Sequence, residues 1–359
     1  MNIDFADLLM EVVSRRASDL HLSAGAPPTV RVRGRLSAVE GYPILSDTDT
    51  REIVYSILSG DQRQRLETNW QLDFAYSIPG HARFRVNAYF QRGAVGAAFR
   101  LIPFELNSID QLGLPRAVHD FTRKPRGFVL VTGPTGSGKS TSLAAMIDEI
   151  NSTREEHIMT IEDPIEFLHA HKKCLVNQRE LGSDAQSFAE ALKAALRQDP
   201  DVILVGEMRD LETISTALTA AETGHLVFAT LHTQDTAQTV DRIIDVFPPS
   251  QQGQVRVQLS VALQGIVTQQ LLPTADGSSR VAACEVLVPN PAVRNLIREG
   301  KTHQIYSVLQ TGSAHGMQTM DAALVQLVRT GKISQKLAEE RSSAPEELRR
   351  LLGGGMMAA

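Results

Sequence analysis

The sequence contains a glycine-rich loop that matches the phosphate-binding pattern G-x-x-x-x-G-K-[ST] at every fixed position. Residues 133–140 read GPTGSGKS, directly after the apolar run 128–132 and directly before a helical stretch that begins near Lys139. Glycines in such a loop let consecutive backbone N–H groups turn toward phosphate oxygens, and the N-terminus of the following helix adds partial positive charge. An ordinary glycine-rich turn is the alternative, but the complete match in a strand–loop–helix setting favours a nucleotide site.

The loop residues predict ATP and Mg²⁺ as cofactors. Lys139 has the reach and the charge to contact the β- and γ-phosphates, and the Ser140 hydroxyl is suited to ligate Mg²⁺. We therefore predict Lys139 as a catalytic residue and Ser140 as a metal ligand. The predicted nucleotide contacts within the loop are Gly133, Pro134, Thr135, Gly136, Ser137, Gly138, Lys139, Ser140 and Thr141.

Two acidic segments follow apolar runs, where a P-loop enzyme places its metal-side and water-orienting acids. Residues 201–207 read DVILVGE and put Glu207 just past a buried strand, and residues 160–166 read TIEDPIE and put Glu166 past another. Carboxyl ends of parallel strands share one edge of a sheet, which is where ligands bind. One carboxylate would hold the metal or its water while another orients the attacking water. Acidic residues also favour turns after strands for purely local reasons, and this alternative stays open.

Two histidines bracket a third apolar run, because residues 225–232 read HLVFATLH. The spacing places His225 and His232 at opposite ends of one strand, which argues against a shared metal ion. His232 lies at the carboxyl end, where a γ-phosphate would be, and is either a phosphate-sensing residue or an ordinary strand-end histidine.

The segment 83–91 alternates apolar and polar residues, which predicts a half-buried strand. Phe84, Val86, Ala88 and Phe90 would face the core, and Arg83 and Arg85 would share the other face. That face is either solvated, or it supplies arginines that neutralise phosphate charge from another domain or subunit.

Composition excludes several classes of protein. The 359 residues allow about two or three domains. The formal net charge of −5 argues against a protein that mainly grips nucleic acid. Two cysteines, Cys174 and Cys284, are too few for a four-cysteine zinc module and favour reduced, cytoplasmic thiols. No apolar run approaches the roughly 18 residues of a membrane span, so we expect no direct membrane insertion.

The apolar pattern changes along the chain and predicts its domain organisation. Before residue 100, a one-faced helix near the start, short strands and the 83–91 strand predict a small α+β domain. From residue 127, strands are predicted over 128–132, 158–161, 202–205 and 226–231, separated by helices as in a parallel sheet. After about residue 253 the pattern predicts mostly helices, one of them with Met320, Leu324, Leu327 and Val328 on one face. The predicted units are residues 1–100, a linker at 101–126, a nucleotide-binding core at 127–290 and a helical extension at 291–359.

Five segments together resemble the Walker A, Asp-box, Walker B and His-box series of the type II/IV secretion ATPases. They are GPTGSGKST (133–141), TIEDPIEF (160–167), DVILVGEMRD (201–210), AAETGHLVFATLH (220–232) and DRIIDVFP (241–248). Four more look like the pilus-retraction branch of that family: ASDLHLSAGAP (17–27), VNQRE (176–180), AVRNLIREGK (292–301) and GMQTMD (316–321). The resemblance runs from about residue 5 to 335.

The resemblance implies an α/β protein with an N-terminal PAS-like α+β domain, a C-terminal RecA-like P-loop ATPase domain and a helical C-terminal extension. It implies a homohexamer that binds ATP between the two domains. By position, Glu166 is expected to be the catalytic base and Glu207 the metal-side acid, although either could be the base. His225 and His232 match the His box, and Arg83, Arg85 and Arg100 match arginines that contact nucleotide or the neighbouring subunit.

The implied function is Mg²⁺-dependent ATP hydrolysis that drives retraction of type IV pili from the cytoplasmic face of the inner membrane. The implied partners are an inner-membrane platform protein of the pilus and a paralogous retraction ATPase, with no nucleic acid. Alternatives are a pilus-extension or type II secretion ATPase, whose usual four-cysteine zinc element is missing here, and a regulatory ring subunit that binds nucleotide without hydrolysing it. A RecA-like DNA motor is disfavoured by the charge.

Overall fold

The structure, a computed structural model, describes residues 5–78, 82–102 and 106–353. The chain forms two compact units, one of residues 1–105 together with 166–168, and one of residues 106–165 together with 169–359. The predicted limits at residues 100, 126 and 290 stay predictions. The stretch 101–126 that was predicted as a linker contains the helix Ala117–Thr122, which belongs to the second unit.

Over its described residues, the first unit is an antiparallel six-stranded sheet with three helices, the α+β architecture expected for a PAS-like domain. The strand order is β3-β2-β1-β6-β5-β4. The helices are α1 (Phe5–Ser14), α2 (Asp47–Ser56) and α3 (Gly60–Asn69), and the strands are β1 (Asp19–Leu22), β2 (Thr29–Val32), β3 (Arg35–Ala38), β4 (Gln71–Ile78), β5 (Ala82–Gln91) and β6 (Ala94–Ile102).

Strand β5 shows how the sequence pattern builds this unit. Phe84, Val86 and Ala88 are fully buried and pack with α1 and α2 in one apolar core. The alternating residues between them turn to the opposite face, because successive side chains of a strand point to opposite sides of the sheet. The prediction of a half-buried strand over 83–91 is therefore confirmed.

The second unit is built on a seven-stranded sheet of order β13-β12-β7-β11-β10-β8-β9. Its strands are β7 (Gly127–Thr132), β8 (His157–Glu162), β9 (Leu175–Glu180), β10 (Val202–Val205), β11 (Leu226–Leu231), β12 (Leu263–Pro273) and β13 (Arg280–Leu287). Its helices are α4 (Ala117–Thr122), α5 (Lys139–Thr153), α6 (Phe188–Ala195), α7 (Leu211–Glu222), α8 (Thr236–Asp245), α9 (Pro249–Ala262), α10 (Pro291–Glu299), α11 (Ile305–Thr311), α12 (Met320–Arg329), α13 (Gln335–Arg341) and α14 (Pro345–Gly353).

The four predicted strands β7, β8, β10 and β11 are present and pair in parallel. Alternate residues of β7 enter different cores: Phe128 and Leu130 pack with α6 to α9, whereas Val129 and Val131 pack with α4 and α5. Helices therefore cover both faces of the sheet, which explains why its strands read as continuous apolar runs. This arrangement brings the carboxyl ends of the four strands to one edge.

The region after residue 253 is mostly helical, as expected, but it also contains two strands that the apolar pattern did not predict. Strands β12 and β13 pair antiparallel with each other, and β12 also pairs in parallel with the P-loop strand β7. The helical part of the prediction is correct further on, since α12 buries Met320 and Leu324.

Helix α10, which covers most of the AVRNLIREGK segment, buries Val293 and Ile297 as its amphipathic pattern predicts. Arg294 differs from the expected solvent-facing position. It is half-buried, and its guanidinium donates hydrogen bonds to the carbonyls of Ser260 and Val261 at the end of α9. Across the described ranges 5–78, 82–102 and 106–353, no helix combines the length and apolarity needed to cross a bilayer.

Candidate active site

The P-loop lies at the carboxyl end of β7, and its glycines adopt backbone conformations that other residues rarely tolerate. Gly133 has φ +138°, Gly136 +80° and Gly138 +88°. A Cβ atom on Gly133 would lie only 2.3 Å from the carbonyl oxygen of Gln269. Gly136 faces open space instead, so at this position it is the backbone conformation that calls for glycine. The loop thus needs glycine for two different physical reasons.

Helix α5 begins at Lys139, directly after the loop, and presents its N-terminus to this site. Its N-cap is Gly138, which has no side chain to accept the first backbone N–H groups. The Lys139 ammonium is buried and donates to the carbonyl oxygens of Gly133 at 2.8 Å and Pro134 at 3.1 Å. Uncapped N–H groups and a buried ammonium fit the phosphates of a nucleotide. The hydroxyl of Ser140, in the first turn, is suited to the Mg²⁺ that accompanies them.

Gln269 on β12 binds the P-loop and helix α5 through its side-chain amide. It was not predicted as a site residue from the sequence. Its Nε2 donates to the Ser137 carbonyl at 2.7 Å, and its Oε1 accepts from the Ser142 hydroxyl of α5, also at 2.7 Å. Only 2% of the residue is exposed. Because no strand was predicted over the residues of β12, no sequence signal pointed to this contact.

Glu207 lies two residues beyond β10, where its carboxylate meets two basic side chains. Arg209 contacts it with two nitrogens, Nε to Oε1 at 2.5 Å and Nη2 to Oε2 at 2.6 Å, and His232 Nε2 lies 2.9 Å from Oε1. The structure therefore brings together the predicted residues Glu207 and His232. Arg209 was missed, although its position two residues after Glu207 was a signal that could have identified it.

Gly206 and Thr230 fix the segment that carries Glu207. The Gly206 N–H donates to the Ile161 carbonyl at 2.7 Å, and the Thr230 hydroxyl donates to the Gly206 carbonyl at 2.5 Å. A Cβ atom on Gly206 would lie 3.1 Å from the same Ile161 oxygen, so the close approach of β10 to β8 requires a small residue here. The acid is thus held by backbone contacts to both neighbouring strands.

The charge on Glu207 follows from these contacts. Burial opposes ionisation of its carboxyl, but the Arg209 hydrogen bonds and the positive field of His232 together hold its pKa below the ordinary value. The carboxylate is consequently ionised at neutral pH. An ionised acid at the same sheet edge as a P-loop is suited to hold a metal-bound water or to orient an attacking one.

The TIEDPIE segment contains two glutamates in different surroundings: Glu162 is partly buried, and Glu166 is exposed. Glu162, at the end of β8, accepts hydrogen bonds from the Thr160 hydroxyl at 2.7 Å and from Gln178 at 3.1 Å. Glu166 is exposed, and the neighbouring Ile165 N–H is anchored by the Glu180 carboxylate at 3.0 Å. Glu166 belongs to the first unit, whereas the P-loop belongs to the second. The predicted role of Glu166 as the base therefore stays a prediction.

The three predicted arginines share one face of the sheet of the first unit. Arg85 on β5 is directly opposite Arg100 on β6, and Arg83 lies two residues before Arg85 on the same side. Arg85 is exposed, whereas Arg100 donates through Nε to Asp19 Oδ1 at 2.9 Å. Asp19 is an acidic partner distant in sequence. The contact of these arginines with nucleotide stays a prediction.

His225 lies at the opposite end of β11 from His232, as the spacing predicted. Its Nδ1 is 3.0 Å from the Ala220 carbonyl. This contact is made inside the protein, and the expected role of His225 in the His box stays a prediction.

The chain is similar to known proteins over nearly its whole length. The chain matches the family described as "Type II/IV secretion system protein" over residues 3–352. It is 52% identical to the type IV pilus retraction ATPase PilT of Pseudomonas aeruginosa, over 96% of this chain and 99% of that protein. It is 43% identical to the type IV pilus ATPase PilU of the same organism, over 98% of this chain and 91% of that protein.

A solved structure, a crystal structure of the pilus retraction motor PilT with bound ADP, superposes with a TM-score of 0.91 at 51% identity. The match covers 97% of this chain and 100% of that chain. The chain therefore belongs to the type II/IV secretion system protein family and is one of its P-loop ATPases.

Proposed function

We propose that this ATPase is a motor that drives retraction of type IV pili by ATP hydrolysis. The observation that carries the proposal is the P-loop with its uncapped helix N-terminus, at the same sheet edge as the ionised Glu207. The near full-length similarity to a retraction ATPase supports retraction as the work done. A regulatory subunit without hydrolysis is disfavoured, because it would not need both an intact P-loop and such an acid.

The side chains of the site divide the work of hydrolysis. Lys139 and the backbone of the loop hold the phosphates, and Ser140 with Glu207 holds Mg²⁺, which supplies neutralisation of phosphate charge. Glu166 takes the proton of the attacking water as the base. His232, which contacts Glu207, senses the γ-phosphate by hydrogen bonding. Arg83, Arg85 and Arg100 contribute positive charge toward nucleotide or a neighbouring copy.

The assembly that we propose is a homohexamer at the cytoplasmic face of the inner membrane, where it contacts a platform protein of the pilus. The similarity to PilU supports a paralogous retraction ATPase as a further partner. Opening and closing of the nucleotide sites during the cycle would move the domains and thereby the pilus base.

Hydrolysis is tested with purified protein. Lys139→Ala should reduce ATP turnover at least about 100-fold, because it removes a charge that contacts the phosphates. Lys172→Ala is a matched control, since the Lys172 ammonium is exposed and pairs with Asp148 away from the P-loop. Wild-type protein that binds ATP without turning it over would refute the enzymatic proposal.

The base is tested by comparing Glu166→Gln with Glu207→Gln. We expect Glu166→Gln to bind Mg·ATP with wild-type affinity and to lose turnover about 100-fold. Glu207→Gln should weaken Mg²⁺-dependent binding as well. Reversed behaviour of the two variants would make Glu207 the base.

The direction of movement is tested in cells. A deletion strain of the host organism should accumulate surface pili and lose twitching motility if the motor retracts pili. Cells without pili would instead indicate the extension ATPase, and a secretion defect with normal pili would indicate a type II secretion ATPase.

A further inference from the structure

Glu285 on β13 is a buried carboxylate outside the candidate active site. Only 4% of the residue is exposed. Its Oε1 accepts a hydrogen bond from the backbone N–H of Thr236 at 2.9 Å, and its Oε2 accepts one from the backbone N–H of Met320 at 3.3 Å. Thr236 is the first residue of α8, and Met320 is the first residue of α12. One carboxylate therefore bridges the N-termini of two helices that are far apart in sequence.

Both helices also have caps of their own. Asp235 accepts from the Gln238 N–H at 2.7 Å at the start of α8, and Thr319 accepts from the Ala322 N–H at 3.1 Å at the start of α12. A negative charge is favourable at either N-terminus. Because each first turn already has a cap, the distinctive contribution of Glu285 is the link between the two helices.

The α8 end of this link reaches the nucleotide site. His232, which contacts Glu207, is separated from Thr236 by a short turn. Within α8, the Thr239 hydroxyl lies 2.6 Å from the Thr233 hydroxyl and 3.5 Å from the hydroxyl of Thr132, the residue just before the P-loop. Hydrogen bonds thus connect the strand residue that precedes the P-loop to the first turns of α8.

The α12 end reaches the C-terminal helices. Met320 and Leu324 of α12 pack in one apolar cluster with α13 and α14, separate from the clusters that cover the central strands. A cavity of about 410 Å³ lies beside the carboxylate and is lined by Thr236, Glu285, Met320 and others. Dense packing would resist relative movement of the two helix ends, and this cavity leaves room for it.

We propose that Glu285 is a positioning residue that couples the segment between His232 and Thr236 to the C-terminal helices. It acts through the two helix N-termini and does not touch nucleotide. Binding or loss of nucleotide shifts the start of α8, and the shared carboxylate carries that shift to α12. If this coupling exists, the conformation or stability of α12 must differ between the nucleotide-bound and nucleotide-free protein.

Hydrogen exchange of the full-length chain, with and without Mg·ADP, tests the proposal. Wild-type peptides from the P-loop, from α8 and from α12 should all become more protected when Mg·ADP binds. In Glu285→Gln the P-loop and α8 should keep their responses, whereas α12 should lose at least about half of its response. The Gln side chain retains one acceptor oxygen and turns an amide toward the other N–H, so the link is broken at nearly constant volume.

Three further variants separate coupling from simple loss of stability. Thr319→Ala removes the cap of α12 but leaves the Glu285 bridge, so α12 should exchange faster and yet keep its nucleotide response. Met320→Pro removes the N–H that Glu285 Oε2 accepts, at a helix position that favours proline, but it also removes a buried side chain. It is therefore compared with Met320→Ala, which loses the side chain and keeps the N–H: only Met320→Pro should lose the response as Glu285→Gln does. The proposal is overturned if wild-type α12 does not respond to Mg·ADP, if Glu285→Gln retains the full response, or if Thr319→Ala loses as much of it.

Discussion

At the scale of single residues, the charge on Glu207 is set by the basic side chains on either side of it. Its folded-state pKa is depressed, so its carboxylate stays ionised as the pH falls until the pH reaches that value. Arg209→Ala removes one of the two stabilising influences. We expect the acidic limb of the kcat/KM pH profile to move to higher pH, and Arg209→Lys, which keeps the charge, to move it less. The shape of the profile is the readout, and an unmoved limb would mean that ionisation of Glu207 does not limit turnover.

Gln269 is the residue whose side chain joins the P-loop to the sheet. Gln269→Ala leaves the buried Ser142 hydroxyl and the Ser137 carbonyl without this partner. An unpaired buried polar group costs about 1–3 kcal/mol, so we expect the free energy of unfolding to fall by about 2 kcal/mol. ADP affinity, measured by calorimetry, should fall about tenfold because the loop loses its support. Gln270→Ala, the next residue on the strand, is the matched control; equal ADP affinity of both variants would contradict this role.

At the scale of elements, the β12–β13 hairpin has few local signals of a strand. Its sequences, LQGIVTQQLLP and RVAACEVL, are rich in Leu, Gln and Ala, which favour helices. The extended conformation of β12 depends on its pairing with β7, a contact distant in sequence. The central strands, such as VILV of β10, are apolar and β-branched and were predicted with nearly correct limits. Sequence patterns thus predicted the middle of this sheet, whereas tertiary pairing determined its edge.

Helix α10 is joined to α9 by Arg294, which interacts with the C-terminal carbonyls of α9. A cation is favourable at the C-terminal end of a helix, and here it also makes direct hydrogen bonds. We expect Arg294→Ala to lower the free energy of unfolding by about 1 kcal/mol. Arg298→Ala, on the exposed side of the same helix, should change it by less than about 0.5 kcal/mol. Denaturant titrations of both variants check this, and similar effects would show that the α9 contact adds nothing.

Helices α4 and α5 are linked by a histidine whose charge depends on pH. Burial favours neutral His119, but its contacts with Asp110 at 3.1 Å and Glu149 at 2.7 Å outweigh this and raise its pKa. A raised folded-state pKa gives stabilisation that is complete below the unfolded value of about 6.5 and is lost as the pH rises through the folded value. His119→Gln should therefore destabilise the protein more at pH 6 than at pH 9. Denaturant unfolding at the two pH values measures this, and a difference independent of pH would exclude a charged His119.

At the scale of the whole molecule, site residues within a contiguous motif could be predicted from the sequence, whereas contacts between residues far apart in sequence could not. Lys139 and Ser140 were predicted from the contiguous P-loop motif, and Glu207 was predicted from its position just past an apolar strand. The pairing of Glu207 with His232 needed the order of β10 beside β11, which no local pattern encodes. The contact between Asp19 and Arg100 could not be predicted either, because these two residues are 81 positions apart in the sequence.

The proposed role of Arg85 toward nucleotide or a neighbouring copy can be tested in mixed assemblies. If Arg85 acts on a neighbouring copy, one of the two alternatives in our proposal, Arg85→Ala and Lys139→Ala proteins should each be nearly inactive alone. Mixed assemblies should regain turnover, because the intact P-loop of the Arg85→Ala copy meets the arginine of the Lys139→Ala copy. Random mixing at equal amounts gives up to about a quarter of the wild-type rate per site. Co-expression of Arg85→Ala with the double variant lacking both residues is the control and should remain inactive. No recovery in the first mixture would assign Arg85 to its own chain.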